Sequence, residues 1–182
     1  DLLDDDSANL IEFLHQVRLR VQSARGVHDQ HVVVASFGLF AGIMRHAGGW
    51  QVDCAGQSYY ATVLINAAGA WAAELSLQAT GVEIPVKPVK GQILLTERMP
   101  KLLNGCLTTS DCYVAQKDNG EILIGSTTED KGFDVTTTYP EIAGLVQGAV
   151  RCLPELKDVN LKRTWAGLRP GSPDELPILG PM

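Results

Sequence analysis

The chain lacks the excess of basic residues and the long apolar run that mark two large classes of binding protein. Its 182 residues carry a net charge of -6, so no surface for nucleic acid is expected. No run of eighteen apolar residues occurs, and the opening DLLDDD is acidic, unlike a signal peptide. We therefore expect a cytoplasmic protein with no integral membrane segment. The sequence does not decide whether it also contacts a membrane peripherally.

A metal-binding pattern is also missing. The four cysteines form no C-x-x-C pair, and no histidine stands near any of them at the spacing of metal ligands. We expect no metal site and four free thiols in a reducing compartment. All four histidines lie in the first quarter of the chain, away from the motifs described below, so none is assigned a catalytic role.

The glycine fingerprint of dinucleotide-binding chains is absent as well. In G-x-G-x-x-G the glycines admit a pyrophosphate, and the following helix N-terminus stabilises its charge. No two of the 18 glycines here are separated by a single residue. The chain therefore does not carry the turn that binds the phosphates of a dinucleotide.

The pattern of apolar residues and turns predicts a mixed fold. Three helices are predicted: one that ends at Arg25, one over 70–78 and one over 140–153. Single strands are predicted over 31–36, 93–96 and 159–165. Antiparallel hairpins are predicted between 40 and 69 and about the turn Asp118–Gly120. This order indicates an α+β fold: a largely antiparallel mixed sheet with helices packed on one face.

Arg169 is the first candidate site residue. It lies in WAGLRPGSPDELPILGP (165–181), where repeated prolines exclude a helix and predict a stiff loop. A guanidinium held there, with Trp165 close by, suits a bidentate grip on a carboxylate. The alternative is an ordinary surface ion pair with Asp174 or Glu175, which the residues alone favour.

Two further segments allow both a binding and a structural interpretation. The small residues of Asn66–Gly69, between a strand and a helix, let either a ligand or the helix itself approach closely. Lys87 and Lys90 are either phosphate ligands or solvated residues guarding an edge strand, and we favour the second interpretation. Tyr113 begins a strand, where a tyrosine usually packs against the sheet.

Four segments in this order resemble one family. They are VLINAAGAWAAEL (63–75), PVKPVKGQILL (85–95), YVAQKDNGEILIGSTTEDKGFD (113–134) and WAGLRPGSPDELPILGP (165–181). Together they resemble the FAD-dependent amino-acid oxidases and dehydrogenases, the family of D-amino acid oxidase, glycine oxidase and sarcosine oxidase. The resemblance runs from about Gly38 to the end of the chain.

The resemblance implies a cofactor, a substrate class and site residues. The cofactor is FAD, and the residues implied to contact it are Phe40, Ala67, Ala68, Gly69, Gln92 and Gly180. Arg169 and Tyr113 are implied to bind the carboxylate of a small amino or imino acid. The chain has Ala115–Gln116 where glycine oxidase-like members commonly carry Pro-Arg, so the family's local geometry and specificity do not carry over to Tyr113 directly.

The resemblance also implies a domain assignment. Residues 1–182 resemble one substrate-binding domain, in which 27–80 and 159–182 partly belong to an incomplete FAD-binding part. We expect the chain alone to bind FAD weakly or not at all and to be inactive. The alternative is a non-catalytic binding or interface subunit that docks onto a flavin-carrying partner. The sequence is compatible with assembly of the chain with copies of itself or with other chains.

Overall fold

The computed structural model describes residues 31–34, 40–54 and 56–181. The predicted N-terminal helix and the end of the 31–36 strand lie outside these residues. The chain divides into two compact units. The first contains the described residues up to Lys87 together with 172–181, and the second is Pro88–Gly171. The predicted assignment of 27–80 and 159–182 to an FAD-binding part stays a prediction.

The first unit contains two small sheets. Strands β1 (His31–Val34) and β5 (Val63–Asn66) pair in parallel. Strands β2 (Phe40–His46), β3 (Gly49–Cys54) and β4 (Gln57–Ala61) form an antiparallel meander, as the two glycine turns predict. Gly48 and Gly56 have φ of +82° and +76° in these turns, a conformation that glycine adopts without strain.

A helix follows β5 in the first unit. A 3-10 turn (Gly69–Trp71) leads into α1 (Ala72–Thr80), which is two residues longer at its C-terminal end than the predicted helix. The helix ends at Gly81, whose left-handed φ of +77° lets its N–H bond to the Leu77 carbonyl. The buried core of this unit joins the helix to the meander through Ile43, Trp50, Val52, Ala61 and Leu75.

The second unit is a five-stranded sheet in the order β10-β6-β9-β8-β7. Its strands are β6 (Lys87–Arg98), β7 (Cys106–Thr108), β8 (Tyr113–Gln116), β9 (Glu121–Gly125) and β10 (Leu161–Gly171). The β6–β9, β8–β9 and β7–β8 pairs are antiparallel. Helix α2 (Tyr139–Cys152) begins with Pro140 in its first turn, as predicted.

The core of the second unit lies between one face of the sheet and α2. Alternate residues of β8 and β9 point inward, so Val114, Ile122 and Ile124 are buried together with Leu94 of β6. Leu145 and Ala149 of α2 pack onto them. Burying one such aliphatic side chain stabilises a fold by about 1.5–3 kcal/mol. The predicted α+β architecture, a largely antiparallel sheet with a helix on one face, is confirmed.

Strand β10 differs from its prediction. The expected strand ended near Trp165, and Arg169 was expected in a proline-stiffened loop. Instead β10 continues through Arg169 and Pro170 to Gly171. Proline has no N–H for a sheet ladder, but β10 is the end strand of its sheet, where one missing donor is tolerated. Arg169 is therefore carried by a regular strand.

Glu121 connects the start of β9 to the start of β10. Its side chain is 5% exposed and accepts hydrogen bonds from Lys162 Nζ at 2.7 Å and from Asn119 Nδ2 at 2.9 Å. Lys117 Nζ lies 3.5 Å away. The bonds from Lys162 and Asn119 lower the pKa of Glu121 to about 2. This carboxylate therefore stabilises the folded state only while it is ionised.

Replacing Glu121 with glutamine tests that contribution. At neutral pH, Glu121→Gln should lower the melting temperature by a few degrees, because two charge-assisted bonds are lost. A lowered pKa gives stability that is present above the ordinary value of 4.5 and is lost as the pH falls through about 2. The difference between variant and parent should therefore shrink between these pH values. Thermal unfolding between pH 7 and pH 2 would measure this difference in melting temperature, with the exposed Glu155→Gln as control. A difference that stays the same at every pH would contradict the prediction.

Candidate functional site

The guanidinium of Arg169 is held by the segment that follows β9. Nη1 donates to Ser126 Oγ at 2.9 Å, and Nη2 donates to the Thr127 carbonyl at 2.7 Å and to Thr128 Oγ1 at 3.3 Å. We call Ser126–Thr128 the arginine cradle. All three acceptors are neutral, and no carboxylate of the described second unit lies within 4 Å of this guanidinium. Its positive charge is therefore oriented but not cancelled within this unit.

Trp165 has a different neighbour from the one expected. The guanidinium carbon of Arg163, not that of Arg169, lies 4.6 Å from the centre of the Trp165 ring. A cation over an aromatic face is a stabilising contact within β10. The alternative ion pair of Arg169 with Asp174 or Glu175 stays a prediction, since both acids belong to the segment grouped with the first unit.

Tyr113 reaches the same end of β9 from the other side. It pairs with Gly125 in the β8–β9 register, and Ile93 of β6 pairs with Gly125 from the opposite edge. A Cβ placed on Gly125 would lie only 2.7 Å from the Tyr113 hydroxyl and 2.5 Å from Ile93 Cγ2. The absence of a side chain at Gly125 therefore lets the half-buried Tyr113 ring cross β9 toward the cradle.

Tyr113 and Arg169 also interact electrostatically. Burial raises the pKa of the Tyr113 hydroxyl, and the nearby positive charge of Arg169 opposes part of that increase. The hydroxyl is therefore protonated at neutral pH and can donate a hydrogen bond. The structure thus brings the two residues predicted to bind substrate to one place, around Gly125 and Ser126.

Several residues of this arrangement escaped the sequence analysis. The sequence analysis did not single out the cradle, although the run of hydroxyl residues after a strand could have marked it. Gly91 on β6 was not singled out, yet a Cβ there would lie 3.0 Å from Arg169 Nη2 and 3.1 Å from the Thr127 carbonyl. Like Gly125, it leaves room for a large side chain from an adjacent strand.

Gln92 and Lys90 lie on β6 beside the cradle, and Lys90 differs from its prediction. Lys90 was expected to be solvated on an edge strand. It is 1% exposed, because β6 is an interior strand and the Lys90 ammonium is paired with Asp134 at 2.7 Å. Gln92 has no exposed surface, and its side-chain amide bonds to Glu129 and Thr138. Contact between Gln92 and a flavin stays a prediction.

The predicted cofactor residues of the first unit form a corner at the carboxyl end of β5. Asn66 fixes this corner: its Oδ1 accepts from the Ala68 N–H at 3.2 Å, and its Nδ2 donates to the Ala72 carbonyl at 2.8 Å. Ala67 is exposed, and a Cβ on Gly69 would meet no atom within 4 Å. Open backbone at the end of a parallel strand fits the close approach of a cofactor.

Phe40 and Gly180 are the other cofactor residues predicted in the first unit. Phe40 lies at the start of β2, where its backbone pairs with that of Cys54. Gly180 is exposed, with a φ of +150°. Contact of these residues with FAD stays a prediction. In the described ranges, no helix has the length and apolar character needed to cross a bilayer.

Alanine at three glycines tests the packing around the two candidate residues. Gly125→Ala should destabilise by about 1–3 kcal/mol, because its methyl group overlaps Ile93 and Tyr113. Gly91→Ala should cost less, because its methyl group would lie 3.0 Å from the Arg169 guanidinium and 3.1 Å from the Thr127 carbonyl, farther than the contacts at Gly125. Gly167→Ala on β10 is the matched control: its methyl group meets nothing within 4 Å, and it should be neutral or stabilising by about 0.5 kcal/mol. Unfolding in denaturant would measure the change in stability of each variant. Equal changes in all three variants would contradict the packing described for Gly125 and Gly91.

The sequence is similar to those of known flavin-dependent enzymes. The family of FAD dependent oxidoreductases matches residues 18–182. The chain is 70% identical to hydrogen cyanide synthase subunit HcnC of Pseudomonas protegens over 97% of this chain and 44% of that protein. It is 45% identical to a glycine oxidase of Pseudomonas aeruginosa over 65% of this chain and 32% of that one.

A solved structure gives the same result. The crystal structure of glycine oxidase from Geobacillus kaustophilus superposes with a TM-score of 0.71 at 29% identity, covering 79% of this chain and 38% of that chain. The chain therefore spans less than half the length of these relatives. FAD is the cofactor expected of the intact protein. On the extent of the family match, the chain belongs to the FAD-dependent oxidoreductases.

Proposed function

We propose that the protein carrying this chain oxidises a small amino or imino acid, and that Arg169 and Tyr113 bind the substrate carboxylate. The observation that carries the proposal is the meeting of a guanidinium and a tyrosine hydroxyl at Gly125 and Ser126. Both groups donate hydrogen bonds, and a carboxylate accepts them. The pair is therefore suited to an anionic ligand.

The bonding of Arg169 supports this assignment. A guanidinium has five N–H donors in a rigid fork, and the cradle takes up three contacts. The remaining donors, and a charge that no carboxylate of the second unit pairs, are available to a substrate carboxylate. Because neutral acceptors fix the plane of the group without neutralising it, the entropy cost of ordering the side chain is already met before substrate binds.

Tyr113 supplies a second, neutral donor. Its raised pKa keeps the hydroxyl protonated at neutral pH, so it does not repel an anion. A carboxylate held by two groups from neighbouring strands has a fixed orientation. Such positioning contributes on the order of 7 kcal/mol to lowering a reaction barrier in favourable cases.

The cofactor supplies the chemistry that these residues position. When bound, FAD would supply the acceptor for a hydride from the substrate α-carbon. Ala67, Ala68 and Gly69 are the residues of this chain proposed to lie against the cofactor, since they form an open corner of small residues. No acid or base from this chain is needed if the substrate amine is bound neutral.

Relatives support glycine as the first substrate to test. Proteins named glycine oxidase appear among the sequence relatives and among the solved structures, and one structure at 27% identity is named iminodiacetate oxidase. Glycine and iminodiacetate both carry a carboxylate beside an amine. A substrate of this kind is the feature that the proposed pair would recognise.

Replacing Arg169 tests the proposal in the intact protein. Arg169→Met should lower kcat/KM for glycine by a factor on the order of 100 or more, because a charge-assisted contact to the substrate is lost. Glycinamide, which has a neutral amide in place of the carboxylate, should be affected much less. Arg163→Met is the matched control, since it removes an arginine from the same strand. Unchanged preference for glycine over glycinamide in Arg169→Met would contradict the proposal.

Tyr113→Phe tests the second donor. Removing only the hydroxyl should lower kcat/KM for glycine about tenfold, the size of one hydrogen bond to a charged group. The exposed Tyr139→Phe serves as control, since its side chain is 90% exposed. Steady-state kinetics with glycine, sarcosine and proline would measure the effect. Equal kinetics of Tyr113→Phe and parent would remove the hydroxyl from the substrate site.

One observation also favours a second function, a subunit that works on a partner chain. Two relatives, 70% and 80% identical, are named as a subunit of hydrogen cyanide synthase. In this alternative the chain docks onto a flavin-carrying partner and binds no substrate. Flavin content and glycine turnover of the purified protein without partners separate the two: turnover supports the enzyme, and an inactive flavin-free protein supports the docking subunit.

A further inference from the structure

We propose that Lys90, acting with Glu129 and Gln92, is a positioning residue that sets the direction of the Arg169 guanidinium through the arginine cradle. The expected effect on substrate binding rests on the proposed function. The expected effect on the position of Arg169 rests only on contacts within the second unit. None of the three contacts Arg169 in the structure. Their influence passes through Ser126–Thr128.

A buried lysine is the first observation. Lys90 is 1% exposed, and an ammonium is removed from water only at a large cost unless it is paired. Its Nζ lies 2.7 Å from Asp134 Oδ2 and 3.9 Å from Glu129 Oε2. Both acids belong to the segment between β9 and α2. The ion pairs therefore tie this segment to the centre of the sheet.

Backbone pairing adds to the same connection. The Lys90 N–H donates to the Glu129 carbonyl at 3.0 Å, and the Glu129 N–H donates to the Lys90 carbonyl at 2.9 Å. Two residues further along β6, the Gln92 N–H donates to Thr127 Oγ1 at 2.8 Å, and the Thr127 N–H donates to the Gln92 carbonyl at 3.2 Å. Thr127 is thus fixed by β6 on one side while its carbonyl accepts from Arg169.

Side chains complete the network. The Gln92 amide donates to Glu129 Oε1 at 3.0 Å and to Thr138 Oγ1 at 3.1 Å, and its oxygen accepts from the Thr138 N–H at 2.8 Å. The Thr127 hydroxyl donates to Glu129 as well. Glu129 therefore connects the buried ammonium directly to the cradle residue whose carbonyl makes the shortest bond to Arg169.

Alternate side chains of β6 serve two purposes: those on one face hold the cradle, and the position on the other face leaves room for Arg169. Successive side chains of a strand point to opposite faces, so Lys90 and Gln92 reach the segment 127–138, whereas Gly91 between them faces Arg169. A network that served stability alone would need no alignment with the arginine. Here the same three consecutive residues clear space for the guanidinium and hold its acceptors. Loss of the buried charge should therefore move the cradle and the guanidinium together.

The closing experiment combines two readouts in the intact protein. Lys90→Met removes the charge at similar length, and a crystal structure of the variant should show the cradle displaced and the Arg169 Nη2 to Thr127 carbonyl contact broken. An unchanged contact would overturn the inference, whatever the substrate. Lys157→Met, an exposed lysine after α2, is the matched control. If Lys90→Met does not fold, Glu129→Gln takes its place in both readouts, because it removes the charge that joins Lys90 to Thr127.

Kinetics give the second readout. Lys90→Met should raise KM for glycine about tenfold with a smaller change in kcat, and should leave KM for glycinamide nearly unchanged. In an Arg169→Met background the same substitution should have no further effect on glycine, because a residue that acts through Arg169 has nothing left to position. Equal effects in both backgrounds, or on both substrates, would overturn the inference. A failure of the proposed function would be seen separately, because Arg169→Met would then keep the preference of the parent for glycine over glycinamide.

Discussion

The position of one positive charge is the constraint on which the rest of the site depends. Arg169 is held by a hydroxyl, a carbonyl and a second hydroxyl, and the described second unit offers it no carboxylate. Neutral acceptors orient a guanidinium without cancelling its field. A carboxylate in their place would orient it equally well, but would make it a structural ion pair. With serine and threonine in the cradle, this charge is not paired within the second unit and is available to the ligand that we propose.

Strand β6 carries most of the consequences of that choice. Its interior position brings three consecutive residues between Arg169 on one neighbouring strand and the cradle that follows the other. Gly91 leaves room for the guanidinium, and a larger side chain there would displace it. Lys90 and Gln92 fix the cradle through buried polar contacts, which are satisfied by Glu129, Asp134 and Thr138. Buried polar groups of this kind are costly unless every partner is present, so the arrangement is specific.

The sequence predicted the elements better than the contacts between them. Glycine turns and the Asp118–Gly120 signal located the hairpins, and Pro140 located the start of α2, because these residues impose local backbone geometry. The burial of Lys90 could not be predicted, since it depends on acids that lie 39 and 44 positions away along the chain. The strand character of Arg169 was missed because prolines near a residue predict a loop, whereas an end strand accepts them. Motif resemblance selected Arg169 and Tyr113, and the sheet register explains how they meet.

The central claim is that the charge of Arg169 and the Tyr113 hydroxyl bind one carboxylate. The most direct measurement is a crystal structure of the intact flavin-loaded protein soaked with methoxyacetate, a carboxylate that has no amine to oxidise. The account predicts one carboxylate with its oxygens about 3 Å from both the Arg169 guanidinium and the Tyr113 hydroxyl. A carboxylate bound elsewhere, with Arg169 still bonded only to its cradle, would contradict it.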